Sequence, residues 1–125
     1  MKNLMIISSP EDERAAADMR KHLTMSKRNG LIEYVDDVAL AQIVCCLLSP
    51  SFVCDERAWV LSEQAKRKHA AGNCRLVPIY IEHMSEAPDH LALLTCLPRN
   101  GKPAKDDAAW AAIAGELRNL AMVNS

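Results

Sequence analysis

Ile43-Val44-Cys45-Cys46-Leu47-Leu48, followed at once by Ser49-Pro50-Ser51, is the stretch that decides the fold. Its apolar run is continuous, not alternating. A strand covered on one face alternates; a strand covered on both faces, as in a parallel sheet, does not. Ser-Pro-Ser ends it with turn chemistry.

Working outward, the neighbouring segments supply the strands and helices such a sheet needs. Upstream, Leu4-Met5-Ile6-Ile7 is a second short apolar run. Ser9 can cap a helix that opens on Pro10 and carries acids in its first turn. That helix is expected to reach about Leu23, with Ala16, Met19 and Leu23 facing the sheet. The polar stretch from Ser26 to Gly30 is read as the break after it. Leu31-Ile32-Glu33-Tyr34-Val35 has strand composition and ends at Asp36-Asp37. Downstream, residues 55–71 are expected to form a helix closed by Gly72. Leu76-Val77-Pro78-Ile79-Tyr80-Ile81 follows as a strand, and Pro78 argues against a central place for it. Residues 82–105 read as loop with a helical turn near His90 to Leu94. A last helix over residues 107–123 carries the stripe Trp110, Ile113, Leu117 and Leu120. Alternating strands and helices over 125 residues predict one α/β domain, residues 1–125, around a mostly parallel sheet of four or five strands.

Composition narrows the function classes. Half the residues are hydrophobic, enough for one core, but aromatics make up only 4%, so Leu, Ile, Val, Met and Ala must build it. A net charge of −1 offers none of the basic surface that dominates nucleic-acid affinity. The basic run Lys66-Arg67-Lys68-His69 reads as a solvated helix end complementing the dipole. Five cysteines, with no CxxC pair and no signal peptide, predict a reducing, cytoplasmic setting and no disulfide framework. No apolar run is long enough to span a membrane. The four glycines are too scattered for a phosphate loop, and the histidines lack metal-ligand spacing. Ser49-Pro50 stands where a receiver domain would need an aspartate.

Four ordered stretches resemble the bacterial branch of the Toll/interleukin-1 receptor (TIR) domain family. MIISSPEDE (residues 5–13) is similar to its first strand and loop. KRNGLIEYVDD (residues 27–37) is similar to its second strand. AQIVCCLLSPSF (residues 41–52) is similar to its third strand and Ser-Pro turn, and LPRNGKPAKDDAAW (residues 97–110) to its closing segment. The resemblance implies a flavodoxin-like, three-layer fold with strand order 2-1-3-4-5. It also implies assembly through contacts with other TIR-like domains. In many members it further implies hydrolysis of NAD with release of nicotinamide. The family's essential carboxylate lies four positions after a Trp or Cys, so Glu63 inherits that role after Trp59. Ser8, Ser9 and Trp59 become the candidate nucleotide-contacting residues. No resident cofactor and no metal are implied; NAD enters only as substrate of the enzymatic alternative.

Chemically, nicotinamide–ribose cleavage develops oxocarbenium character that a carboxylate can stabilise. Trp59 and Glu63, four apart, share a helix face. Glu63 and Arg67 have the spacing of an ordinary exposed ion pair as well. The long loop and helix that the family carries after its second strand are missing here. Only Val38, Ala39 and Leu40 separate Asp37 from the next matching segment. Residues 36–40 reach at most roughly 18 Å, and a parallel crossover normally takes a dozen or more residues. Residues 31–35 are therefore expected not to form an ordinary parallel second strand. The missing helix is expected to bare apolar sheet surface that drives homodimerisation. The leading expectation is thus an interaction and signalling module with an incomplete nucleotide site.

Overall fold

A computed structural model describes residues 1–100 and 102–123. Four strands, β1 (Lys2–Ile7), β2 (Ile32–Tyr34), β3 (Ile43–Leu48) and β4 (Arg75–Tyr80), form one all-parallel sheet in the order β2-β1-β3-β4. A 3-10 turn at Pro10–Asp12 leads into α1 (Glu13–His22). The remaining helices are α2 (Thr24–Arg28), α3 (Pro50–Cys54), α4 (Glu56–Ala70) and α5 (Asp107–Met122). The architecture is a flavodoxin-like, three-layer arrangement, with the parallel sheet that the apolar run predicts.

Local chemistry sets the helix starts. Ser49 caps α3 by accepting from the Phe52 amide at 3.1 Å, Asp55 caps α4 through Ala58 at 2.8 Å, and Asp106 caps α5 through Ala109 at 2.8 Å. The expected break at Ser26 is not there. Residues Thr24–Arg28 contain no helix breaker and form α2, and the chain turns only at Gly30, whose φ of +73° suits glycine.

All six residues of β3 are buried, as a strand covered on both faces must be. On one face, Met19 of α1 and Trp110, Ile113 and Leu117 of α5 pack over Leu4, Ile32, Cys45, Leu47 and Ile79. On the other, Phe52 of α3 and Ala58 and Ala65 of α4 meet Met5, Val44, Cys46 and Leu48. Burial pushes the Cys45 thiol up to about 12 and raises Cys46 as well, so both act as small apolar groups.

The second strand corrects the sequence expectation. Residues 32–34 are ordinary parallel β: Lys2 pairs with Ile32 and Leu4 with Tyr34. The reason is stagger. Leu4 is also the partner of Ile43, so β3 begins level with the end of β2. The connection, residues 35–42, need not return along β1. It crosses two strand spacings, about 9.5 Å, well within its reach.

The crossover also takes over the role of the missing helix. Val38 and Ala41 are buried against Met5 and Val44, so the apolar sheet surface expected to be bare is covered. The carbonyls of residues 37–41 are all hydrogen-bonded. The Lys68 ammonium, from the last turns of α4, donates to the carbonyls of Val38 (2.9 Å), Ala39 (3.0 Å) and Ala41 (2.6 Å). The Asp37 carbonyl accepts from Leu40 N–H at 3.0 Å, and the Leu40 carbonyl accepts from the Asn3 side chain at 3.1 Å. Lys68 is therefore no freely solvated member of a basic run.

At the opposite edge, Leu97 bridges Ile79 in the parallel sense. Its N–H donates to the Pro78 carbonyl and its carbonyl accepts from Tyr80 N–H, each at 2.9 Å. In a parallel strand a residue's N and C=O point to the same side. The side of Pro78 that lacks a donor therefore faces away from β3, as an edge position allows.

Candidate functional site

In open α/β sheets the ligand crevice lies beyond the carboxyl ends of the strands, where the strand order reverses. Here that point falls between β1 and β3, and the residues after them are Ser8, Ser9, Ser49 and Ser51. Ser9 is buried and Ser8 half-buried. Ser9, Glu11, Pro50, Ser51, Cys54 and Asp55 line a shallow cleft of about 320 Å³.

Three of the four serine hydroxyls of this crevice are engaged within the protein. Ser9 Oγ accepts from Glu11 N–H at 3.3 Å. Ser51 Oγ donates to Glu11 Oε2 at 2.8 Å. Ser49 Oγ makes a short bond to Asp12 Oδ2 while capping α3. Glu11 and Asp55 stand in the cleft wall, and no lysine or arginine is in its lining. Such a rim repels a diphosphate.

Trp59 and Glu63 lie elsewhere. Glu63 is two turns beyond Asp55, about 12 Å along α4, and neither residue is in the lining of the serine cleft. The structure thus brings Ser9 together with acids, and separates that group from Glu63.

Around Glu63 a different cluster forms. Trp59 and Glu63 do share one side of α4, and His90 of the segment after β4 packs against it. The His90 ring meets Trp59 edge-on, with centroids 4.8 Å apart and planes at 71°. Ser62 Oγ donates to the Trp59 carbonyl at 2.7 Å and contacts His90 Nε2 at 2.8 Å. With the hydroxyl proton committed to the carbonyl, Nε2 is the donor in the second bond. Burial lowers the His90 pKa, opposed by the Glu63 carboxylate and reinforced by Lys66, with Asp89 opposing as well. Ser62 itself is fully buried and serves as a latch, not as an accessible nucleophile.

Glu63 is half-buried, and among the described residues it has no cation within 4 Å. The expected Glu63–Arg67 ion pair is not formed. His90 is the residue that sequence reasoning missed. It reads as a loop histidine because its partners are 28 residues or more away. His69 is similar: its Nδ1 lies 3.2 Å from Leu76 N and 3.3 Å from the Cys74 carbonyl, tying α4 to the start of β4.

Among the described residues no group of three or more His, Cys, Asp or Glu could hold a metal ion, and no helix is long and apolar enough to cross a membrane. Comparison of the chain with models of known protein families and with curated proteins finds no match to either, so the geometry of these two clusters is what bears on its role.

Proposed function

We propose that this chain is a TIR-like, cytoplasmic protein-interaction and signalling module that self-associates as a homodimer or with other TIR-like domains, and whose nucleotide site is incomplete. The observation that carries this reading is the switch-point crevice. The hydroxyls of Ser9, Ser49 and Ser51 bond Glu11, Asp12 and the α3 cap, and the cleft lining holds acids and no cation. Where a dinucleotide would need donors, the chain presents acceptors.

Self-association is supported by the sheet edge. The outer side of β2 is the end of the sheet, and Leu40 on the crossover that follows is 57% exposed. The apolar sheet face is no longer an argument for a partner, since Val38 and Ala41 cover it. Size-exclusion chromatography with light scattering should give a mass that rises with concentration toward twice 13.8 kDa. A strictly monomeric mass at high concentration would remove the self-association part of the reading.

One observation favours the enzymatic alternative, an NAD glycohydrolase with Glu63 as its essential carboxylate. Glu63 stands half-buried and without an ion-pair partner beside the Trp59 ring. Incubation of concentrated protein with NAD should release no nicotinamide if the module reading is right. Turnover that disappears in Glu63→Ala, with the fold intact, would reverse the ranking.

A further inference from the structure

The stagger that shortens the crossover leaves a notch in the sheet. Strand β2 stops opposite Leu4, whereas β1 runs on to Ile7. Lys2 N–H donates to the Leu31 carbonyl and the Leu4 carbonyl accepts from Val35 N–H, so Lys2 and Leu4 direct their backbone groups toward β2. By the alternation of a parallel strand, Ile6 does the same. Beyond Val35 there is no strand to meet it, and among the described residues no hydrogen-bond partner of the Ile6 amide is found on that side.

The missing length of strand is walled by charge. Met5, Ile6, Tyr34, Val35, Asp36, Arg20 and Arg57 enclose a cleft of about 400 Å³. That falls within the ordinary size of small-molecule sites. Arg20 comes from α1, which covers one sheet face, and Arg57 from α4, which covers the other. Arg20 spends one nitrogen on Glu13 at 2.9 Å and keeps its other donors. Arg57 has no hydrogen bond or ion pair among the described residues, although Asp36 lines the same cleft. The Tyr34 hydroxyl is buried and has no partner among the described residues.

From this geometry we infer that the notch is a binding site for a small oxyanion, a phosphate or a carboxylate, held between the Arg20 and Arg57 guanidinium groups and the Ile6 amide. Guanidinium forks match the oxygens of either group, and a backbone N–H adds a directed third donor. The acidic serine crevice lacks every one of these features. The inference is independent of whether the chain self-associates or cleaves NAD.

The test is an amide NMR titration of the whole chain with inorganic phosphate and, separately, with malonate, each against sodium chloride at matched ionic strength. A saturable shift of the Ile6 amide is expected with at least one of the two. The tighter one identifies phosphate or carboxylate as the preferred class. Arg57→Gln should weaken that binding about tenfold, the loss expected for one charge-assisted contact. Asp36→Asn should tighten it several-fold by removing the opposing charge. Unchanged spectral dispersion elsewhere shows that each variant folds. No saturable Ile6 shift with either anion overturns the inference. So does Arg57→Gln binding equal to the parent, or an Asp36→Asn variant that binds more weakly.

Discussion

The two faces of the sheet are held by different physics. The face under α1 and α5 is closed by large apolar side chains: Met19, Trp110, Ile113 and Leu117. The face under α4 presents a helix whose buried residues are Ala58, Ser62 and Ala65, with a short crossover and a loop completing the layer. Small side chains bury little apolar area. On this face Phe52 of α3 and Leu91 supply the large apolar groups, and α4 itself is tied by polar clamps: Lys68 onto the crossover carbonyls, and Ser62 with His90 onto the loop. A chain that omits a helix can keep its sheet covered if a cation satisfies the backbone that replaces it.

The sharpest way to expose the difference is to damage each face in turn. Trp110→Ala removes the largest buried side chain of α5 and should cost about 3–5 kcal/mol, read by urea unfolding. The effect should be that of a cavity: global, and nearly independent of pH and salt. A cost near 1 kcal/mol would mean that α5 contributes far less to its face than its burial implies.

Lys68→Met keeps the stem of the side chain and removes only the ammonium. Hydrogen bonds to charged groups contribute more than neutral ones, so a loss of about 2 kcal/mol is expected. Hydrogen exchange should locate the damage. The amides of Leu40, Ala41 and Gln42, which hold the turn and its junction with β1, should lose protection before those of β3. Equal loss of protection across both faces would contradict a local clamp.

What was legible in the sequence follows the same division. Strand β3 was readable because a run of six apolar residues admits one interpretation, and α5 because its stripe has helical spacing. The buried face of α4 was weakly marked, since Ala and Ser at helical spacing carry little hydrophobic contrast. The topology of β2 is not legible, because the length of chain a crossover needs depends on the stagger of the strands it joins. Only the shared partner Leu4 reveals the stagger, and no local pattern encodes it. Lys68 sat within a basic run that has an adequate explanation as a helix end, and its acceptors lie 27 to 30 residues away. At the candidate site, Trp59 and Glu63 on one helix side were readable from their spacing. His90 was not, because its approach depends on how the segment after β4 folds back over α4.

The smallest expected effect concerns that loop. Ser62→Ala removes two partly buried hydrogen bonds, one local to α4 and one to the loop, and should cost about 1 kcal/mol, with the Trp59–His90 contact loosened. Acidification tests the same contact by another route. Burial holds the His90 pKa below its ordinary value of 6.5, so the unfolded chain takes up the proton more readily. Stability contributed by neutral His90 is therefore intact above pH 6.5 and declines as pH falls from there through the lowered native value. The Nε2–H donor to Ser62 survives protonation, so the decline reflects burial of charge and not a broken bond. Glu63 pulls the pKa upward, hence Glu63→Gln should depress it further, and His90→Gln should remove this part of the acid slope. An NMR titration placing His90 at or above 6.5 would show the loop open in solution, leaving Lys68 and His69 as the polar ties of α4 beside the packing of Ala58 and Ala65.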